Sequence, residues 1–146
     1  MKIHLATDHA GYLHKESLKE FLMKEEGIEV MDHGAVELAP EDDYPDYILP
    51  CAQAVALDPD GSMGVIFGGS GQGEAMCANR VGGIRAVVYY GGPSEILTLS
   101  REHNAANILS IAARFVSTQD TIEAVKLWLA TPFSADERHM RRIAKF

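Results

Sequence analysis

The chain has 146 residues, 13 lysines and arginines against 21 aspartates and glutamates, a net charge of −8 and two cysteines. That length suits one domain, 1–146, which buries roughly 68–70% of its unfolded surface. The acid excess excludes general nucleic-acid binding, which needs a basic face, yet leaves room for a small phosphorylated ligand held by a few local arginines.

Cys51 and Cys77 make neither a disulfide framework nor a zinc site, so a reduced, cytoplasmic setting is expected. Met1-Lys2 runs directly into a strand-like segment, without a secretory leader. No apolar run nears the roughly 20 residues that span a bilayer.

Lys2–Thr7 reads as a first strand. Gly11–Glu26 reads as a helix with Leu18, Phe21 and Leu22 at core spacing, and Gly27 stands where a left-handed cap would end it. Ile28–Met31 is a second strand. Gly34–Pro45 is an acidic, irregular loop, and Asp46–Leu57 is a helix with Ile48, Ala52 and Val55 on one side. After a Pro59-Asp-Gly61 turn, Met63–Phe67 is a short apolar strand, followed by a glycine-rich loop and a helix from Glu74 to Asn79. Ile84–Tyr90 is a fourth strand, and Pro93 opens a helix to about His103. Ile108–Ala112 is a fifth strand. Thr118–Ala130 is a helix with Ile122, Val125 and Leu129 on its core stripe and Trp128 at a core edge or interface. Glu137–Lys145 is a short basic helix. Strand and helix alternate five times, which predicts an α/β fold: a five-stranded parallel sheet with helices on both faces.

Gly68-Gly-Ser-Gly-Gln-Gly-Glu74 is the most informative stretch. Strand, glycine loop and helix in that order bring backbone N–H groups together without Cβ interference, next to the unpaired N–H groups of a helix start. The loop lacks the lysine of a nucleotide P-loop and the glycine spacing of a dinucleotide fingerprint. It is expected to hold an anion other than a nucleotide; a tight turn without a ligand is the alternative. Ligands of parallel sheets sit at the carboxyl ends of the strands. Asp8-His9, the glycine loop, Tyr90-Gly-Gly and Arg114 all follow strands at that end. Asp8 also suits a plain N-cap, and the acidic run Glu41–Tyr47 also suits a solvated surface with Asp46 as a cap. Tyr44, held extended before Pro45, can aim its hydroxyl at a polar ligand. His103 near a helix end suits the helix dipole. Arg138 and Arg142, four apart, share a helix face and match a phosphate monoester, or equally a basic helix end on an acidic protein.

Taken together, Asp8-His9-Ala-Gly11, Asp43-Tyr-Pro-Asp46, Gly68–Glu74, Ala78-Asn79, Gly83-Ile-Arg85, Arg101-Glu-His-Asn104 and Arg138-His139 resemble the ribose-5-phosphate isomerase B family, within the group that also holds galactose-6-phosphate isomerase subunits. The resemblance runs from Lys2 to about Lys145. It implies an aldose–ketose isomerase of sugar phosphates with no metal or organic cofactor, on a Rossmann-like three-layer αβα sandwich with a C-terminal helix. It implies a homodimer, sometimes a larger assembly, with sites built from both subunits. By the same resemblance, Asp8, His9 and Tyr44 contact the sugar or its phosphate, and Gly69, Ser70, Gly71 and Gly73 bind the oxygen that becomes an enediolate. His103 opens the furanose ring, Asn104 binds the sugar, and Arg114, Arg138 and Arg142 hold the phosphate.

Many members carry a cysteine base just after the strand, where this chain has Gly68. It resembles the subgroup that uses a glutamate after the loop, here Glu74. A first-turn helix position favours the charged form of Glu74, as a base requires, though Glu74 also suits a plain complement to the dipole. Ribose 5-phosphate is the leading substrate. The same chemistry on erythrose 4-phosphate or on allose or galactose 6-phosphate, and a non-catalytic phosphate-binding module, are the competing readings.

Overall fold

The computed structural model describes residues 1–146. In chain order the elements are β1 (Lys2–Thr7), a 3-10 turn (His9–Gly11), α1 (Tyr12–Leu22), β2 (Glu29–Asp32), α2 (Pro45–Leu57), β3 (Ser62–Gly68) and α3 (Gln72–Ala78). They continue as β4 (Ala86–Tyr89), α4 (Glu95–Asn104), β5 (Ile108–Ala112), α5 (Thr118–Ala130) and α6 (Glu137–Ile143). The five strands form one parallel sheet in the order β2-β1-β3-β5-β4. No helix is long and apolar enough to cross a membrane.

Period-2 alternation sorts the central strands onto two cores. Ile3 and Leu5 of β1, Val65 and Phe67 of β3, and Leu109 and Ile111 of β5 face Leu18 and Leu22 of α1 and Val125 and Trp128 of α5. Ala6, Ile66 and Ile108 face Ile48, Cys51, Ala52 and Val55 of α2 and Ala78 of α3. The sheet is thus the middle layer of an αβα sandwich.

Trp128 is fully buried within the first core rather than at its edge, and its Nε1–H donates to Ser100 Oγ of α4 at 3.1 Å. The α5 stripe is accordingly Thr121, Ala124, Val125 and Trp128, with Ile122 and Leu129 only partly buried beside it. α1 stops at Leu22, short of Glu26. The N–H groups of Lys24 and Glu25 turn back to the carbonyls of Phe21 and Leu22, because the exposed run Lys24-Glu-Glu26 has no apolar face to bury. Gly27 is left-handed, with φ of 78°, but lies beyond that turn instead of capping the helix. Pro45 begins α2, where its fixed φ suits a first turn, and Tyr44 before it is helical, with φ of −52° and ψ of −33°, rather than extended.

A buried cation ties α1 to β2. The Lys15 side chain is fully buried and donates to both Asp32 oxygens at 2.7 and 2.8 Å, while Lys19 reaches Asp32 at 2.6 Å. Asp32 also accepts the Gly34 N–H at 3.0 Å. Gly34 and Ala35 in turn exchange backbone hydrogen bonds with Thr7 at 2.8 Å, at the carboxyl end of β1.

Asp32→Ala leaves the Lys15 ammonium buried with only the partly exposed Glu16 as a partner. A loss of about 3–5 kcal/mol is expected, read as a lower urea midpoint at an unchanged slope. Burial pushes the Asp32 carboxyl up, but hydrogen bonds from Lys15, Lys19 and Gly34 outweigh it, and its pKa falls below the ordinary value. Its stabilisation is therefore complete above the usual carboxylate range and lost as pH falls through the lowered value. The acid limb of the stability curve should flatten in the variant.

Candidate active site

The strand order reverses between β1 and β3, so the crevice at their carboxyl ends is the expected ligand position. Asp8 leaves β1 there, and its carboxylate accepts the Ala10 N–H at 2.9 Å, capping the 3-10 turn. Gly11 lies so close to Phe67 and Thr7 that a Cβ would collide with both; this lets α1 start directly over β3.

The glycine loop crosses the same crevice. Gly71 takes φ of 71°, and its carbonyl accepts from the buried Ser110 hydroxyl at 2.7 Å. The Gly68 and Gly69 carbonyls accept the Ala113 and Arg114 N–H groups at 2.9 and 3.2 Å, which lock the loop to the end of β5. The N–H groups of Gly69, Ser70 and Gly71 have no acceptor within the chain. Arg114 lies over the loop, with its guanidinium carbon 3.1 Å from where a Cβ on Gly69 would stand. The Tyr44 hydroxyl is 2.7 Å from the equivalent point on Gly73. Unpaired donors and a guanidinium on one rigid turn make an anion seat.

Glu74 closes the arrangement. Its residue is only 5% exposed, and a Cβ on Gly68 would coincide with its carboxylate. The missing side chain at position 68 is therefore the space Glu74 occupies. Burial raises the Glu74 pKa above its ordinary 4.5, a backbone hydrogen bond opposes that, and nearby Asp8 adds to the rise. Burial thus outweighs the charge-favouring helix start, and the carboxylate becomes a stronger base. Neither thiol competes. Burial holds Cys51 in its neutral form, and burial together with the Glu74 charge raises Cys77.

Asp42, which reads as solvated loop in the sequence, has a side chain only 7% exposed. Its Oδ1 lies 2.6 Å from His9 Nδ1 and accepts the His9 backbone N–H at 3.2 Å. Its place in an acidic run hides it; the sole hint is that this loop leads back to the ligand end of the sheet. Asp8, His9 and Asp42 each offer a ligand atom within 4.8 Å of the others. The His9–Asp42 pair already uses those atoms on each other.

His103, Asn104, Arg138 and Arg142 lie elsewhere. α4 runs back from the carboxyl end of β4 to the start of β5, so His103 and Asn104, in its last turn, sit at the amino end of the sheet. The His103 ring stacks on that of His139 from α6, with centroids 4.2 Å apart. Burial and the neighbouring His103 and Arg138 lower the His139 pKa. Asn104 lines a cavity of about 560 Å³ with Arg85, Ile143 and Phe146. Arg138 and Arg142 are exposed on α6. The expected site residues therefore form two groups at opposite ends of one sheet, and no single chain joins them.

A buried carboxylate beside an anion-accepting turn, at the switch point of a parallel sheet, defines an enzyme class that moves protons on small anionic substrates. The comparison with known proteins narrows it. This chain belongs to the Ribose/Galactose Isomerase family, whose model matches residues 3–146. It is 38% identical over 143 residues to ribose-5-phosphate isomerase B of Mycobacterium tuberculosis, covering 98% of this chain and 86% of that protein. Ribose-5-phosphate isomerase B of Mycoplasma genitalium, solved with bound ribulose-5-phosphate, superposes with a TM-score of 0.92 at 33% identity, over 99% of this chain and 92% of that one. The Clostridium thermocellum enzyme gives 0.91 at 39%, over 99% and 94%.

Gly68→Ala should evict the Glu74 carboxylate while leaving the fold intact. Isomerase turnover is expected to fall by about 10²–10⁴-fold, the range for a lost general base, with an unchanged circular dichroism spectrum. Near-native turnover would show that Glu74 does not need this pocket.

Proposed function

We propose that the protein interconverts ribose 5-phosphate and ribulose 5-phosphate through an enediolate, with Glu74 as the base. The observation that carries this is the buried carboxylate in the space beside Gly68, next to the unpaired N–H groups of the loop. Glu74 takes the proton from C2 of the open-chain aldose and returns it to C1, while the hydroxyl proton on O2 passes to O1, so that C2 becomes the carbonyl carbon. The negative charge that develops on the carbonyl oxygen meets the N–H groups of Gly69, Ser70, Gly71 and Gly73. Preorganised donors of this kind contribute roughly 2.7–4 kcal/mol each in other enzymes. A base with a raised pKa is better matched to a weakly acidic C–H than an ordinary carboxylate. Asp8 and Tyr44 orient the sugar hydroxyls, and Arg114 and His9 attract the phosphate.

The remaining roles fall to a second copy of the chain. His103 is proposed to open the furanose ring, Asn104 to bind the sugar, and Arg138 and Arg142 to complete the phosphate seat. In each case they act in the partner's crevice. Support comes from the separation of the two groups at opposite ends of the sheet, since a two-fold pair brings an amino-end surface of one subunit to a carboxyl-end surface of the other. No metal or organic cofactor has a part in this scheme.

Glu74→Gln keeps the side-chain shape but removes its basicity. Deuterium exchange from solvent into the substrate C–H positions, followed by NMR, should slow by about 10²–10⁴-fold. Native-rate exchange would assign the proton transfer to another group. The shared site has its own test. Glu74→Gln and His103→Asn homodimers, each impaired alone on ribose 5-phosphate, should regain about a quarter of native activity when unfolded together and refolded, because each mixed dimer holds one native site. No recovery would place both residues of a site in one chain. Parallel assays on four- and six-carbon sugar phosphates fix the chain length accepted.

A further inference from the structure

Asp42 has no part in the scheme above, yet its environment is the most constrained of any carboxylate in the acidic loop. Its side chain is more than nine-tenths buried, one oxygen has no hydrogen-bond partner, and the other takes both the backbone N–H and the ring Nδ1 of His9. A buried carboxylate with an orphan oxygen needs a compensating charge close by. No lysine or arginine forms an ion pair with it, and His9 at 2.6 Å is its single salt-bridge partner. That separation is in the range of charge-assisted hydrogen bonds.

We propose that Asp42 is a positioning residue: by accepting the Nδ1–H of His9 it fixes the ring and its positive charge, leaving the Nε2–H as a free cationic donor for the substrate's phosphoryl group. Two features favour this geometry. The His9 backbone N–H binds the same Asp42 oxygen, so main chain and ring are clamped together and the ring has little freedom to turn. The ring itself stays one-third exposed, so its far nitrogen is accessible to a ligand. The charged groups that act on His9 are Asp42 and Asp8, which favour its cation, and Arg114, which opposes it. The Asp42 hydrogen bond is the largest influence, and the His9 pKa is raised above its ordinary 6.5. Burial is the main influence towards the neutral imidazole and the Arg114 guanidinium a smaller one, and the Asp42 hydrogen bond outweighs them. His9 and Arg114 together then present two cations to one anion.

This inference rests on the sugar-phosphate reading for its ligand, but its first test does not. In the substrate-free protein, His9 is assigned by comparison with His9→Gln and titrated by heteronuclear NMR of the ring nitrogens. The native ring should titrate above the ordinary histidine value. Asp42→Asn, which keeps the shape of the carboxylate without its charge, should lower that pKa by about one unit or more, a tenfold or larger fall in the charged fraction at pH values above it. Equal values in the two proteins overturn the proposal whatever the enzyme acts on, and so does a native ring that titrates at or below the ordinary value, a result that needs no variant to fold.

The second test is kinetic. Above about pH 7 the substrate phosphate is fully ionised, so any pH dependence of KM there belongs to the protein. A raised His9 pKa means that the cation is present below it and lost as pH rises through it. The native KM for ribose 5-phosphate should therefore climb as pH passes the His9 value. In Asp42→Asn the climb should begin at lower pH, with KM about tenfold higher at pH 8 and kcat altered far less. Asp42→Glu, which restores the charge, should recover part of the loss. A fall confined to kcat, or a KM that ignores pH in both proteins, overturns the phosphate role.

Discussion

The reversal of strand order between β1 and β3 is the constraint on which the site depends. The chain leaves β1 through α1 on one face of the sheet and leaves β3 through α3 on the other. No connection covers the gap between the two carboxyl ends, because each departs towards its own layer. A crevice opens there without any side chain having to be excluded from it. The backbone then fills its rim with polar groups. Gly34 and Ala35 pair with the end of β1, and the glycine loop is latched to the end of β5 by the Gly68, Gly69 and Gly71 carbonyls. With those carbonyls satisfied inside the fold, the adjoining N–H groups face outwards, and an anion seat follows from main-chain accounting alone.

The placement of Glu74, the proposed base, is a packing problem within that seat. A side chain at position 68 and a buried carboxylate at position 74 claim the same volume, so only one of the two can be present. A cysteine at the strand end and a glutamate one loop further on are therefore alternative solutions to one steric equation. The choice carries electrostatic consequences. Glu74 is buried, lies near Asp8 and raises the Cys77 pKa by its own charge. Desolvation is what lifts its basicity, and desolvation exists here only because Gly68 lets the carboxylate withdraw against the strand.

What could be read from the sequence divides along physical lines. The central strands are short apolar runs bounded by turn residues, and they fall within a residue or two of their expected bounds. The four glycines from Gly68 to Gly73, at the end of β3 and the start of α3, announce their loop because their number exceeds what a plain turn needs. The end of α1 is hidden in the sequence, since helix-forming charged residues continue past the last buried one and only tertiary contact decides where a surface helix stops. Trp128 lies one residue from the stripe that periodicity favours, and the hydrogen bond to Ser100 that draws its ring inward is invisible in one dimension. Asp42 is indistinguishable in composition from Glu41 and Asp43; which of three adjacent acids turns inward depends on where His9 stands, 33 residues away. His103 and Asn104 show the limit most clearly. Their motif can be read at a glance, but the α/β winding carries the end of α4 to the far end of the sheet, so their separation from Glu74 needs topology and not residue type.

The charge distribution gives that separation a meaning. The protein carries −8 overall, yet the carboxyl-end crevice gathers Arg114 and the imidazole of His9, while α6 at the other end exposes Arg138, Arg141 and Arg142. Each cationic patch taken alone is small and sits in an acidic field, which disfavours polyanions and large anionic surfaces. Brought face to face across a two-fold axis, the two patches would concentrate their potential in a single closed volume, where screening is weaker and a lone dianion feels all of it. On the proposed two-fold pairing, selectivity for a small phosphate ester over a nucleic acid would need no dedicated contact. It would follow from dividing the cations between two surfaces that enclose only a ligand small enough to fit between them.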